Sequence, residues 1–277
     1  MQTIAENIYY DDSYTGVTVG AMTFPYGTLL IDSPLRSEDA RTWKASLLTQ
    51  SRGTHRLSVI LDIHADRTLG SRAIEFPIVA HNQTAEAFQE RTTVFKGYHS
   101  EMGAAWEHYP EVSGTRWGRP NITFSEHLSL HWGGPEIRFE HHPGPTPGAI
   151  WVHIPDEKIL FVGDAVTPNQ PPFLARADLE TWHETLNLLA SRQFIDYTII
   201  SGRGGSITID TIREQRTLLK SIGGRLKTIS RRKGKPDETL KIIPVLLKKI
   251  SYPSKMETFY TQRLQYGLLQ YYARCYG

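Results

Sequence analysis

The sequence predicts an α/β or α+β fold, on three observations. Short hydrophobic runs bounded by Gly and Pro recur along the first two thirds of the chain. Segments with helical periodicity separate them. Polar, glycine-marked turns follow several of the hydrophobic runs, as at the ends of strands in a layered sheet.

In chain order, Val17–Phe24 and Thr28–Ile31 read as two strands joined by Pro25, Tyr26 and Gly27. Asp32 follows at a strand end, where it is expected to cap the turn into Pro34. Ser37–Leu48 reads as a helix with Ser37 as N-cap and acidic residues in its first turn. LSVILDI and FPIVAH (Phe76–His81) are strands, with TLGSRAIE a short helix or turn between them. His81, at the end of its strand, reads as structural. Thr84 to about Tyr109 is aromatic-rich and helical in pattern. Ile122–Phe124, Leu128–Trp132 and Ile137–His142 are short strands. Gly148–Pro155 and Ile159–Val166 form a hairpin through Asp156–Lys158. Asp178–Arg192 is an amphipathic helix with Leu179, Trp182, Leu186 and Leu189 on one face. Asp196–Gly205 is a strand ending in a Gly-rich turn.

After Ser206 the composition changes. Arg213–Lys249 holds 12 Lys and Arg against 3 Asp and Glu, a net of +9 in a chain of net +2. Lys233–Glu238 reads as a linker with Pro236 opening a helix, and the last helix spans about Lys255–Ala273. The near balance of 31 basic and 29 acidic residues gives no global field for nucleic acid. Cys275 is the single cysteine, which excludes an intrachain disulfide and fits a reducing compartment. The first residues show no basic and apolar leader pattern, and no run approaches the roughly 18–20 apolar residues of a membrane span. The expectation is a cytoplasmic protein.

Four turns carry the chemistry-bearing residues. They are LDIHADRTLG (Leu61–Gly70), HHPGPTPGAI (His141–Ile150), FVGDAV (Phe161–Val166) and SGRGGS (Ser201–Ser206). Their order and context resemble the metallo-β-lactamase superfamily, which runs H-x-H-x-D-H, P-G-H-T-P-G-S, G-D and G-H-G. VAHNQT and the hairpin IWVHIPDEKILFVGD fit the same pattern. The resemblance covers about residues 2 to 230. It implies a four-layer αββα sandwich, here with residues 1–230 as the domain and 231–277 as a helical C-terminal extension packed on it or on a second subunit.

The resemblance also implies seven ligand positions for one or two metal ions, and the departures from it are specific. Asp62 stands at the first histidine, Arg67 at the histidine after Asp66, Pro145 at the next and Arg203 at the last. His64, Asp66 and Asp164 are kept, so four of the five histidine positions are replaced. The first metal would be left with Asp62, His64 and Asp164, a set of three ligands that suits at most one divalent ion such as Zn, Mn or Fe. The second would have Asp66 and Asp164 beside two arginines, which stay protonated, cannot ligate and repel a cation.

From this the sequence predicts an Arg–Asp network in place of the second ion. Asp66 is the remaining candidate for a catalytic carboxylate, and whether the chain is an enzyme stays open. Arg67, Arg203 and His142 are the candidates for holding a small anionic ligand at the old active-site mouth. Two other readings stand beside this one. A single-metal hydrolase would use Asp62, His64 and Asp164 on an ester, thioester, lactone or phosphodiester. An interaction protein would use the basic C-terminal helices, although the stretch lacks aromatics and nucleic acid is not the expected partner. The Tyr-rich tail is expected to pack on the body or to form a homodimer.

Overall fold

The computed structural model describes residues 1–50, 53–97 and 101–277. Among them are two sheets. The first has the order β1 (Gln2–Ala5), β2 (Ile8–Asp11), β3 (Val19–Thr23), β4 (Gly27–Ile31), β5 (His55–Val59), β6 (Ile78–His81) and β7 (Ile122–Phe124). β1 to β4 pair antiparallel, and β4 to β7 pair parallel. The second sheet holds β8 (His127–Leu130), β9 (Ile137–His141), β10 (Ile150–Ile154), β11 (Ile159–Phe161), β12 (Thr198–Ser201) and β13 (Gly205–Ile207). Only β11 and β12 are parallel there, because a helix connects them.

The helices are α1 (Ser37–Leu48), α2 (Ala65–Thr68), α3 (Ser71–Ile74), α4 (Asn82–Gln89), α5 (Leu179–Leu189), α6 (Ile209–Arg231), α7 (Ile243–Leu247) and α8 (Glu257–Tyr276). Ile8, Met22, Leu29, Val59, Phe139, Val152 and Phe161 fill the space between the sheets. On the outer face of the first sheet, Trp43 and Leu47 of α1 pack with Val19, Ala21 and Leu30. On the outer face of the second, Trp182, Leu186 and Leu189 of α5 join Leu160, Ile199 and the apolar face of α6. The result is the four-layer αββα sandwich, with α7 and α8 sharing the α5–α6 core through Leu246, Leu264 and Leu268. Each such fully buried aliphatic side chain contributes about 1.5–3 kcal/mol. No helix among the described residues is long and apolar enough to cross a membrane.

Two expectations are corrected. The helix expected over Thr84–Tyr109 ends at Gln89, and among the described residues of that stretch only a 3-10 turn, Ala105–His108, follows. Residues 98–100 of that stretch lie outside the described residues. Tertiary packing overrides the local pattern: Phe95 turns edge-on to Trp106 and Trp117, with centroids 4.9 and 5.3 Å away. Gly103 sits at φ +63° and takes the chain out of helical geometry. The N-cap of α1 is Arg36, with no side-chain cap, not Ser37. Arg36 instead forks onto Asp39, at 2.8 and 3.0 Å.

The end of β9 carries a polar chain of its own. Glu140 lies 3.0 Å from His153 Nδ1 and 3.4 Å from His142 Nε2, and His153 Nε2 lies 3.2 Å from the Tyr197 hydroxyl. Burial pushes the Glu140 carboxyl up, but the hydrogen bonds from His142 and His153 outweigh it and hold it at about 2. A carboxyl held low stabilises the fold above its ordinary value of 4.5 and loses that contribution as pH falls through about 2. Glu140→Gln is therefore expected to flatten the acid limb of stability over that window. Urea midpoints that fall as steeply in the variant as in the parent would refute this.

Candidate functional site

The polar turns meet at one edge of the sandwich because each follows a strand that ends there. β4 runs into Asp32, β5 into Leu61–His64 and α2, β11 into Gly163–Asp164, and β12 into Gly202–Arg203. The hydrogen bond from Gly202 N to Gly163 O, 2.7 Å, ties the last two turns together. A Cβ on Gly202 would stand 2.6 Å from Arg67 Nη2, so glycine is what lets this turn approach the guanidinium.

Arg67 is the hub. Its side chain is 0% exposed and touches three carboxylates. Nη1 donates to Asp32 Oδ2 at 2.5 Å and Nη2 donates to Asp164 Oδ1. Nε lies 3.1 Å from Asp62 Oδ1 as a charge contact, without an aligned hydrogen bond. Arg203, also buried, places Nε 3.0 Å from both Asp164 oxygens, and its Nη1 donates to Asp66 Oδ2 at 2.7 Å and to Gly16 O at 2.8 Å. Asp66 further accepts the backbone N–H groups of Ala105 and Trp106, at 3.2 and 3.0 Å. His64 Nδ1 lies between Asp62 at 3.0 Å and Asp164 at 3.1 Å.

These contacts set the protonation states. Burial pushes Asp62 and Asp164 up, but Arg67 and His64 bring Asp62 below its ordinary value, and Arg203 and Arg67 hold Asp164 well below. Burial pushes His64 down, and Asp62 and Asp164 outweigh it, raising His64 to about 9. Asp32 has no such surplus of partners: burial raises it to about 7 against the pull of Arg67. At neutral pH Asp62 and Asp164 are thus ionised against Arg67, Arg203 and a protonated His64, while Asp32 titrates in the neutral range.

The structure brings Asp62, His64, Asp66, Arg67, Asp164 and Arg203 together, and leaves His142 out. His142 stacks on Trp151 at 3.7 Å and points to Glu140. Arg67 has no exposed edge for an anion, because three carboxylates cover it. Asp32 does more than cap a turn: it is wholly buried at φ 59°, binds Leu61 N at 2.9 Å and anchors Arg67.

A cavity of about 230 Å³ opens beside the centre, with His64 and Asp66 in its wall. Arg91, Arg176 and Arg263 also line it, and sequence reasoning passed over all three. Arg263 had a signal: it sits in the buried stripe of α8 between Tyr260 and Leu264. Its guanidinium packs 4.0 Å over Phe173, which also carries Arg203 at 4.5 Å and His64 at 4.9 Å.

As for metal, the donor atoms of Asp62, His64 and Asp164 lie within 4.8 Å of one another, so one ion could reach all three. The second donor set does not fit an ion. Arg67 and Arg203 both lie against Asp164 and offer only N–H groups.

Residues 80–200 match the sequence profile of the metallo-beta-lactamase superfamily. The fold is similar to that of a metallo-beta-lactamase from Pontibacter korlensis, at 20% identity and TM-score 0.61, over 79% of this chain and 97% of that one. DIM-1 metallo-beta-lactamase, in a crystal exposed to ceftazidime, gives 18% identity and TM-score 0.59 over 79% and 95%. The stereoselective inverting sec-alkylsulfatase Pisa1 from Pseudomonas sp. gives 15% identity and TM-score 0.70, over 99% of this chain and 50% of that one. This chain therefore spans about half the alkylsulfatase's length. Sequence comparison with curated proteins finds no match.

Proposed function

Starting from a chain that has the metallo-β-lactamase fold, we propose that it is a ligand-binding protein in which an Arg–Asp–His ion-pair centre stands where the fold otherwise places metal ions. A small anionic molecule binds at the mouth beside that centre. The observation that carries this is Arg67, fully buried and shared by Asp32, Asp62 and Asp164. Together with Arg203 on Asp164 it offsets carboxylate charge that would otherwise call for a cation.

Metal-dependent hydrolysis draws its nucleophile from water activated on the ion. No group in this centre replaces that function. Asp66, the remaining carboxylate candidate, is already held by Arg203 and two backbone N–H groups, which compete for the lone pairs a general base needs. The second reading rests on the closeness of Asp62, His64 and Asp164. Those three would hold one divalent ion, Zn, Mn or Fe, which would activate water for hydrolysis of an ester, thioester, lactone or phosphodiester.

Metal analysis by plasma mass spectrometry, on protein purified without chelator or metal-affinity tag, separates the two. The proposal expects far less than one equivalent of any transition metal, before and after incubation with zinc or manganese. One equivalent retained after gel filtration would overturn it.

A further inference from the structure

The cavity beside the ion-pair centre is lined by arginines that no carboxylate contacts among the described residues. Arg67 and Arg203, inside the centre, each touch at least two carboxylates. Arg91, Arg176 and Arg263 touch none among the described residues, although all three line the cavity. Arg263 is 3% exposed, yet its guanidinium donates only to neutral acceptors: Gly103 O at 2.7 Å, Gln170 Oε1 at 2.8 Å and Pro171 O at 3.2 Å. Arg91 donates through Nη2 to Ile63 O at 2.5 Å, while its Nη1 is buried with no acceptor.

A buried guanidinium without a counter-ion is costly. The cost shows in both side chains: burial pushes Arg91 down to about 10 and Arg263 down to about 9. Arg176, exposed at the rim, adds a third cation and repels Arg91. Asp66, the carboxylate in the wall, is already taken by Arg203.

The rest of the wall is apolar and aromatic. Phe95, Met102, Trp106, Trp117, Phe173 and Tyr266 enclose the space. The Arg91 guanidinium carbon lies 4.1 Å from the Trp117 ring centroid, so its position is fixed by packing and by Ile63 O. A neutral ligand would leave the Arg91 and Arg176 charges without a counter-ion, and a small inorganic anion would leave the aromatic wall exposed to water. At about 230 Å³ the space lies below the roughly 300–1,000 Å³ of ordinary small-molecule sites, which restricts the ligand to one short tail.

We infer that this cavity binds a small amphipathic oxyanion, one carboxylate or sulfate head group on a short apolar tail. The head pairs with the Arg91 and Arg176 guanidiniums in the cavity wall, and the tail lies among Phe95, Trp106, Trp117 and Phe173. The inference rests on the proposal that the mouth is a ligand site, and it names the chemistry of that ligand. Guanidinium pairs with planar carboxylate and tetrahedral sulfate alike, so the two are separate arms of the test.

The test is titration of the full chain with octanoate, octyl sulfate and octanol, followed by calorimetry and by the tryptophan fluorescence of Trp106 and Trp117. At least one anion is expected to bind 10-fold or more tighter than octanol, and the tighter of the two identifies the head group. Arg91→Met keeps a flexible side chain over Trp117 and is expected to bring that anion to the level of octanol, leaving octanol unchanged. Arg176→Ala, at an exposed position that the fold does not need, is expected to weaken the anion by a smaller factor. Octanol binding as tightly as both anions, or anion affinity unmoved in both variants, would overturn the inference. Metal content measured on the same preparation keeps the two ideas apart. A metal-bearing protein that binds the anion through Arg91 refutes the metal-free centre and supports this site. A metal-free protein indifferent to the anions refutes this site alone.

Discussion

Arg67→Met is expected to destabilise the chain by about 3–5 kcal/mol, the cost of orphaning a buried charge network. Methionine roughly fills the space of the aliphatic stem, so the loss reads charge rather than volume. Three carboxylates, those of Asp32, Asp62 and Asp164, would be left in a site where Arg67 is 0% exposed and where Asp62 and Asp164 are each 1% exposed. Of the two remaining cations, Arg203 serves Asp164 and Asp66, and His64 serves Asp62 and Asp164. Asp32 would have no cation at all. Against a total stability of roughly 5–15 kcal/mol, the loss is large enough to shift a urea midpoint well outside error. The control is Arg36→Met, which breaks the surface fork onto Asp39 and should cost no more than about 1 kcal/mol. Equal midpoints for the two variants would show that the buried network adds nothing to the fold.

The network was legible in the sequence where its members sit in motifs and illegible where they do not. Asp62, His64, Asp66 and Arg67 fall within six residues, and Asp164 and Arg203 each close a short hydrophobic strand before or beside a glycine. Strand ends on one side of a sandwich converge, so motif order was enough to gather these side chains. Asp32 gives no such sign. It is one aspartate before Ser33 and Pro34, and its partner is 35 residues away. The left-handed backbone at φ 59° that aims it inward is visible only in the folded chain. Arg91 and Arg263 are harder still. Arg263 reaches Gly103 across 160 residues, from a helix that local pattern treats as an appendage. The aromatic segment before Trp117 misled for the opposite reason: its spacing suits a helix, but Phe95 and Trp106 are needed face to edge in the cavity wall. For His142, proximity along the chain to the proline-rich turn does not fix the direction of the ring. The ring stacks on Trp151 and its Nε2 lies against Glu140.

Imidazoles at the two arginine positions should create a metal site. In Arg67→His/Arg203→His the second donor set becomes two nitrogens with lone pairs beside Asp66 and Asp164, and two repulsive charges are removed. Both replacements are smaller than arginine, so the close approach of Gly202 to position 67 is relieved rather than crowded. Without metal, the double variant loses the hub and should be less stable by about as much as Arg67→Met. Zinc should then recover stability by mass action, about 4 kcal/mol at a thousandfold excess over the dissociation constant. The parent should show no such recovery, since its guanidiniums fill the place. Each single variant keeps one guanidinium beside the ion and should bind zinc more weakly than the pair, which makes the effect non-additive. The readouts are zinc equivalents per chain and the zinc-dependent rise in melting temperature. A double variant that keeps its native circular dichroism but takes up no zinc would show that Arg67 and Arg203 do not stand at ligand positions. The ion-pair centre would then have to be explained as an independent solution to burying four carboxylates at the meeting point of the strands.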